Sequence, residues 1–152
     1  LINQLKENGG ISENTNACID MSSGDYIVLF DHDDMLHESA LYEIRKAIDD
    51  KNADFIYTDE AIFSTDYRKP DSYHLKTDFA IDDLRSNNYI CHISCFSREL
   101  LEKAGKFRKE FDGSQDFDII LRLTEKAESI VHIPKDVMNF QLPQIYQQKH
   151  TV

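Results

Sequence analysis

The apolar run Tyr26-Ile27-Val28-Leu29-Phe30 stops abruptly at Asp31-His32-Asp33-Asp34. The run has no polar alternation, so it reads as a strand covered on both faces, and such strands belong to parallel sheets. Open parallel sheets bind ligands beyond the carboxyl ends of their strands. An Asp-X-Asp placed there sets anionic oxygen where a divalent cation and a phosphorylated ligand can meet. The expected fold is therefore α/β: a mostly parallel, Rossmann-like sheet flanked by helices, with the site at the end of this strand.

The rest of the chain can be read around that point. Leu1 to Leu5 alternates weakly, as a short strand would, and Asn8-Gly9-Gly10 is a turn signal. Ser12 fits the N-cap of a helix running to about Ser22, with Ala17, Cys18 and Met21 on one face and Gly24 at its C-cap. Leu41, Ile44 and Ile48 give an amphipathic helix over about Glu38 to Asp49. Asp54 to Thr58 reads as a second strand ending at Asp59-Glu60. Strand, helix and strand make a βαβ unit with a right-handed crossover, which would bring both acidic clusters to one sheet edge.

Further on, Ser64 to Asp78 is polar, contains Pro70 and reads as a functional loop. Phe79 to Arg85 suits a short helix, Tyr89 to Phe96 a strand, and Arg98 to Lys103 a helix closed by Gly105. Asp112-Gly113-Ser114 turns into a strong helix with Ser114 as N-cap and Phe117, Ile120, Leu121 and Thr124 on its buried face. Ile130 to Ile133 is a last strand before Pro134, and the polar tail from Gln141 is expected to fray. With no repeat and no linker, residues 1–152 read as one domain. The chain opens on Leu1-Ile2-Asn3 and not on Met, which suits a piece of a longer protein.

The formal net charge is -11, from 28 acidic against 17 basic side chains. That balance argues against nucleic acid or an anionic membrane as a surface-wide partner, since both are drawn to clustered Lys and Arg. It leaves room for a local phosphate site that uses a metal. Cys18, Cys91 and Cys95 form an odd, sparse set that favours a reducing compartment. No apolar run approaches the ~20 residues that cross a bilayer.

Each candidate site has a plain structural alternative. The acidic cluster could be a solvated turn before a helix, where Asp is favoured anyway. An EF-hand does not fit, because Met35 and Leu36 stand where a ligand and the turn glycine belong. A zincin helix fails at Leu41. An oxygen-rich site for Mg²⁺ or Mn²⁺ remains. Asp116 sits in the first turn of its helix, either as a complement to the helix dipole or as a general base kept ionised by it. Cys91, His92 and Cys95 suggest zinc, but on a strand His92 points away from the cysteines and no second ligand pair is evident, so buried thiols are the better reading. His132, on an apolar strand, reads as a packed residue. Gly-X-Ser-X-Gly, P-loop and Gly-X-Gly-X-X-Gly motifs are absent.

Taken in order, several segments resemble the family 2 inverting glycosyltransferases of the glycosyltransferase A fold. They are Asn8-Gly9-Gly10-Ile11-Ser12 with Asn16, Ser23-Gly24-Asp25-Tyr26-Ile27 followed by Asp31-His32-Asp33-Asp34, Tyr57-Thr58-Asp59-Glu60, Asn88-Tyr89-Ile90, Phe111-Asp112-Gly113-Ser114-Gln115-Asp116 and Val131-His132-Ile133-Pro134. The resemblance runs from about Asn8 to Phe140 and is nearest to bacterial enzymes that build surface polysaccharides, rhamnosyltransferase-like ones among them. It implies transfer of a sugar from a nucleotide-diphosphate sugar to a saccharide or lipid-linked saccharide acceptor, in the cytoplasm or at the inner face of the membrane.

The resemblance also implies roles. Asp116 would be the catalytic base. Asp31 would contact the donor's ribose or metal-bound water, Asp33 would ligate Mn²⁺ or Mg²⁺ at the diphosphate, and Asn16, Asp59 and Gln115 would lie on substrate. The family's first strand and helix would lie upstream of Leu1. Met138-Asn139-Phe140-Gln141 stands where many relatives carry Tyr-His-Trp-Arg, so Asn139 would offer a carbonyl oxygen to the metal in place of a His. A non-catalytic remnant that binds sugar or protein partners is the competing reading.

Overall fold

The computed structural model describes residues 7–141 apart from 65 and 67, with side chains up to residue 136. The expected strand at Leu1 to Leu5 and the tail beyond Gln141 lie outside the described residues. In chain order the elements are α1 (Ile11–Met21), β1 (Tyr26–Leu29), β2 (Met35–Leu36), α2 (Ala40–Lys51), β3 (Phe55–Phe63), β4 (Ser72–His74), α3 (Ile81–Ser86), β5 (Ser94–Ser97), α4 (Arg98–Ala104), a 3-10 turn (Lys109–Phe111), α5 (Gln115–Lys126) and β6 (Ile130–Gln141).

The sheet runs β1-β5-β3-β6-β2, with β4 hairpinned onto β3. It is flanked by helices on both faces, as the α/β reading expects. The pairing is mixed and not mostly parallel as expected: β5 lies antiparallel between β1 and β3, β3 pairs β6 in parallel, and β2 and β4 run antiparallel to their neighbours. So β1 and β3 share a direction without touching. Nor is the Tyr26–Phe30 run covered on both faces, since β1 ends the strand order, only Ile27 of it is buried, and Phe30 is exposed.

Alternation along β3 and β5 separates two cores. Phe55, Tyr57 and Phe96 pack with Leu84, Leu100, Ile119 and Leu123 of the helices on one face. Ile56 and Cys95 pack with Ile44 and Ala47 of α2 and with Val131 and Ile133 on the other. Burying each such side chain contributes roughly 1.5–3 kcal/mol.

Several elements differ from the sequence reading. β3 continues through Asp59 and Glu60 to Phe63, so both carboxylates lie mid-strand and 5% exposed instead of at the sheet edge. β6 passes through Pro134 because the register shifts there: Ile133 faces Thr58, and the next paired residue is Asp136. A bulge needs no N–H from Pro134. The Ser64–Asp78 segment contributes β4, which pairs His74 with Glu60. Of the Tyr89–Phe96 stretch only the part from Ser94 is strand, and β5 runs one residue further to Ser97; Cys91 takes a φ of 45° that a strand cannot hold.

Helix details shift as well. Gly10 is the N-cap of α1 and Ser22 its C-cap, in place of Ser12 and Gly24. Ser12 instead is buried, its N–H donating to Asp112 Oδ1 at 3.2 Å. A Cβ on Gly10 would come 2.6 Å from Asp112 Oδ2, so only glycine allows that remote cap. Cys18 is exposed and Ile19 carries the buried face. Leu41 is 70% exposed, since α2 lies on the sheet through Ala40, Ile44 and Ala47. Ser114 holds the N-cap position of α5 without a side-chain cap bond. Ile120 and Thr124 are buried there as expected, while Phe117 and Leu121 are only partly so.

Asp118 ties α5 to the chain before it. Its carboxylate accepts from Arg108 and Arg122, and Arg122 also donates to the carbonyls of Ala104, Gly105 and Lys106. Burial pushes the Asp118 carboxyl up, but the two guanidiniums outweigh it and hold the group below the usual range. A depressed folded value means this stability is fully present above the unfolded pKa and is lost as pH falls through the folded one. Asp118→Ala is expected to cost about 2–3 kcal/mol in urea unfolding, at or below the foot of the range for a broken buried pair because Arg108 is half-exposed. Below about pH 4 the difference from wild type should shrink.

Candidate active site

β1 ends at Leu29, and the chain beyond it turns through Phe30 to Asp34 into β2. This turn forms one wall of a cleft of about 1080 Å³, the size of a small-molecule site. Asp31 and His32 line it, as do Glu60, Cys91, His92 and Asp116. The cleft lies where the sequence placed it, at the carboxyl end of the first apolar strand.

Asp116 reaches the cleft from the first turn of α5. Gln115 brackets it: its Oε1 accepts from Gly113 N–H at 2.7 Å, and its Nε2 donates to Asp116 Oδ2 at 3.0 Å. The helix N-terminus suggested an ordinary, fully ionised carboxylate. Burial instead dominates and pushes the Asp116 carboxyl up; Asp31 adds to the rise, while His92 and the Gln115 bond oppose it. A carboxylate raised in this way is a stronger base once ionised.

Asp31, Asp34 and His92 bring one ligand atom each within 4.8 Å of the others, a set that could hold a metal ion. The His92 ring lies 3.7 Å from Asp31 Oδ2. Asp33 points elsewhere, its carboxylate 3.9 Å from His32 and 47% exposed. Asn139 lies in β6 opposite Met35, next to the acidic turn, but its side chain is outside the described residues.

The other expected substrate residues have internal partners. Asn16 forms a paired amide bond with the backbone of Phe107, donating to its carbonyl at 2.9 Å and accepting from its N–H at 3.0 Å. Asp59 accepts from Lys76 N–H at 2.8 Å and bonds His132 Nε2 at 2.9 Å. His132 stacks on Tyr57 with ring centroids 4.8 Å apart, a packed histidine as expected. Of the cysteines, Cys95 is buried and Cys91 only half so.

Sequence reasoning missed the importance of His92, Glu60 and Lys76. The Lys76 ammonium is wholly buried, donating to Glu60 and to the carbonyls of Ile90 and His92. Glu60 also accepts from His92 N–H at 3.2 Å. His92 is thus held at both its backbone N–H and its carbonyl. The one available signal was position, since the Asn88-Tyr89-Ile90 segment runs straight into Cys91-His92.

Comparison with known proteins follows the same line. The sequence profile of glycosyl transferase family 2 matches residues 2–105. An uncharacterized Sinorhizobium fredii protein, y4gI, is 39% identical over 131 residues, covering 84% of this chain and 14% of that protein. The O-antigen biosynthesis protein RfbC of Myxococcus xanthus is 32% identical over 126 residues, covering 82% of this chain and 10% of RfbC. The chain therefore spans only a small part of the curated relatives it matches. Staphylococcus aureus TarS (residues 1–349) has a similar fold: TM-score 0.71 at 16% identity, covering 95% of this chain and 44% of that one. Its complex with UDP-GlcNAc gives TM-score 0.76 at 15% identity over 94% of this chain and 42% of that one. Among the described residues no helix is long and apolar enough to cross a membrane.

Asn16→Ala leaves a backbone donor and acceptor of Phe107 without their partner. It is expected to lower unfolding stability by about 1–3 kcal/mol, read by urea titration. An unchanged midpoint would free Asn16 for the substrate role suggested by the sequence.

Proposed function

Because the chain belongs to glycosyl transferase family 2, we propose that it forms the reacting part of an enzyme that transfers a sugar, with inversion, from a nucleotide-diphosphate sugar to an acceptor hydroxyl. The observation that carries this reading is the cleft itself, where Asp31, His92 and Asp116 come together. The named relatives support a surface polysaccharide as the product and a nucleotide sugar as the donor. The acceptor would be a saccharide or a lipid-linked saccharide. Free thiols at Cys18, Cys91 and Cys95 suit a reducing, cytoplasmic setting, which is also where the inner face of the membrane could be reached.

In this reading Asp116 takes the proton of the acceptor hydroxyl. The acceptor oxygen forms its bond to the anomeric carbon as the bond to the diphosphate breaks on the opposite side, and the electron pair leaves with the diphosphate. One displacement inverts the centre. Gln115 keeps Asp116 Oδ2 in place through its 3.0 Å bond. Asp31, Asp34 and His92 suit Mn²⁺, or less well Mg²⁺, because an imidazole nitrogen joins the two carboxylates. A divalent ion there would offset the charge of the departing diphosphate. Asp33 and Asn139 are the alternative ligands that the family resemblance suggests, with Asp31 common to both sets.

The first test is thermal unfolding of this chain with UDP-GlcNAc, with and without Mn²⁺. Donor at ~100 times its dissociation constant should add ~2.7 kcal/mol. Asp34→Ala should abolish the metal-dependent part and Asp33→Ala should leave it; the reverse pattern assigns the metal to Asp33. No stabilisation by any nucleotide sugar would favour a non-catalytic remnant.

In an active enzyme that carries this chain, Asp116→Asn should lower kcat by about 10²–10⁴-fold. The base must be ionised, and its carboxyl is raised by burial. The acidic limb of kcat/KM should therefore fall above the ordinary carboxylate range, and Asp116→Asn should remove that limb.

A further inference from the structure

The fold pulls apart the Cys91, His92 and Cys95 set. Cys95 goes to the α2 face of the sheet and His92 to Asp31. Cys91 meets Glu60 and His74, which strand pairing places opposite each other on β3 and β4. One ligand atom from each of Glu60, His74 and Cys91 lies within 4.8 Å of the other two. We propose that these residues form a second metal site, distinct from the Asp31–Asp34–His92 set, that selects zinc or another thiophilic divalent ion. The proposal goes beyond the glycosyl-transfer reading and does not depend on it.

The donor set decides the class of metal. Thiolate, imidazole and carboxylate together suit zinc, whereas Mg²⁺ and Mn²⁺ prefer oxygen. Tetrahedral ligands at metal distances of about 2.0–2.3 Å sit roughly 3.3–3.7 Å apart. The His74 nitrogen is already 3.7 Å from Glu60 Oε1. Small rotations of Cys91 and His74, both only part-buried, would complete the approach.

Cys91 has φ 45°, a conformation that favours glycine and that costs another residue on the order of 1–3 kcal/mol. It stands with Glu60 on the wall of the cleft and within reach of His74.

Glu60 and a Cys91 thiolate would together leave one net positive charge from a divalent ion and Lys76. Lys76 and the His92 N–H both donate to Glu60 Oε1, the same oxygen that lies 3.7 Å from the His74 ring, so an ion there would share this carboxylate with Lys76. The Cys91 thiol now donates to Asn88 O at 3.1 Å. On binding, the sulfur–metal bond replaces the S–H bond, the proton passes to solvent, and the new thiolate offsets part of the metal charge beside Lys76. Three protein ligands leave a fourth position, reached from the cleft that Glu60 and Cys91 line.

Co²⁺ titration of this chain tests the site, because a thiolate ligand gives Co²⁺ a charge-transfer band that hard-ligand sites lack. One equivalent of Co²⁺ should produce the band, Zn²⁺ should remove it, and excess Mg²⁺ should not. Cys91→Gly relieves the backbone, so it should fold as well as wild type without metal while losing the band. His74→Ala changes a half-exposed residue on a short edge strand and should weaken Zn²⁺ binding roughly tenfold or more, at least the effect of losing a supporting partner. Cys18→Ser and Cys95→Ser should keep the band. No band in the wild-type chain, or a band that survives Cys91→Gly, would overturn the proposal.

Discussion

A carboxylate in the middle of a central strand sets the conditions for the rest of this structure. Glu60 lies on β3 with its side chain 6% exposed, and it is tolerated because the wholly buried Lys76 ammonium meets it. Neither charge could stay buried alone, since an unpaired buried ion costs several kcal/mol. The ammonium has more protons than one carboxylate needs, and the others go to the carbonyls of Ile90 and His92. One ion pair therefore joins β3, the segment after β4 and the irregular stretch before β5. That stretch carries Cys91 and His92 to the cleft.

The part of the cleft around Asp116 is held by a different network. Asp118 gathers Arg108 and Arg122, and Arg122 gathers the carbonyls that follow α4. Asn16 pins Phe107 to α1, and Asp112 caps α1 from the far side of the loop. These contacts fix where α5 begins, and so where Asp116 stands. The cleft is thus assembled from two separately braced halves, one built on β3 and the other on α5.

Asp116 shows how local and tertiary effects compete. Its place at a helix N-terminus favours the charged form, and the Gln115 bond favours it too. Burial beside Asp31 favours the neutral form, and the net direction is upward. The helix dipole acts with a few tenths to one kcal/mol at an exposed end, while burial of a carboxylate can act with several. The sequence displayed the first effect and hid the second.

Much of this protein was legible from residues alone. The apolar run into Asp31, the helices around Ile44 and Ile120, the turn into Asp116 and the family resemblance all depend on local patterning, and local patterning survives folding. Tertiary structure decided what required partners distant in sequence. It placed antiparallel β5 between β1 and β3, carried β3 through two carboxylates and β6 through a proline, and left Leu41 in solvent. It parted Cys91 from Cys95, brought His92 to Asp31, and gave Asn16 and Asp59 internal partners. The physical reason is the same in each case: a charge, a polar amide or a strand edge is settled by whatever group the fold brings within hydrogen-bonding distance. Sequence spacing states that requirement without naming the group that meets it.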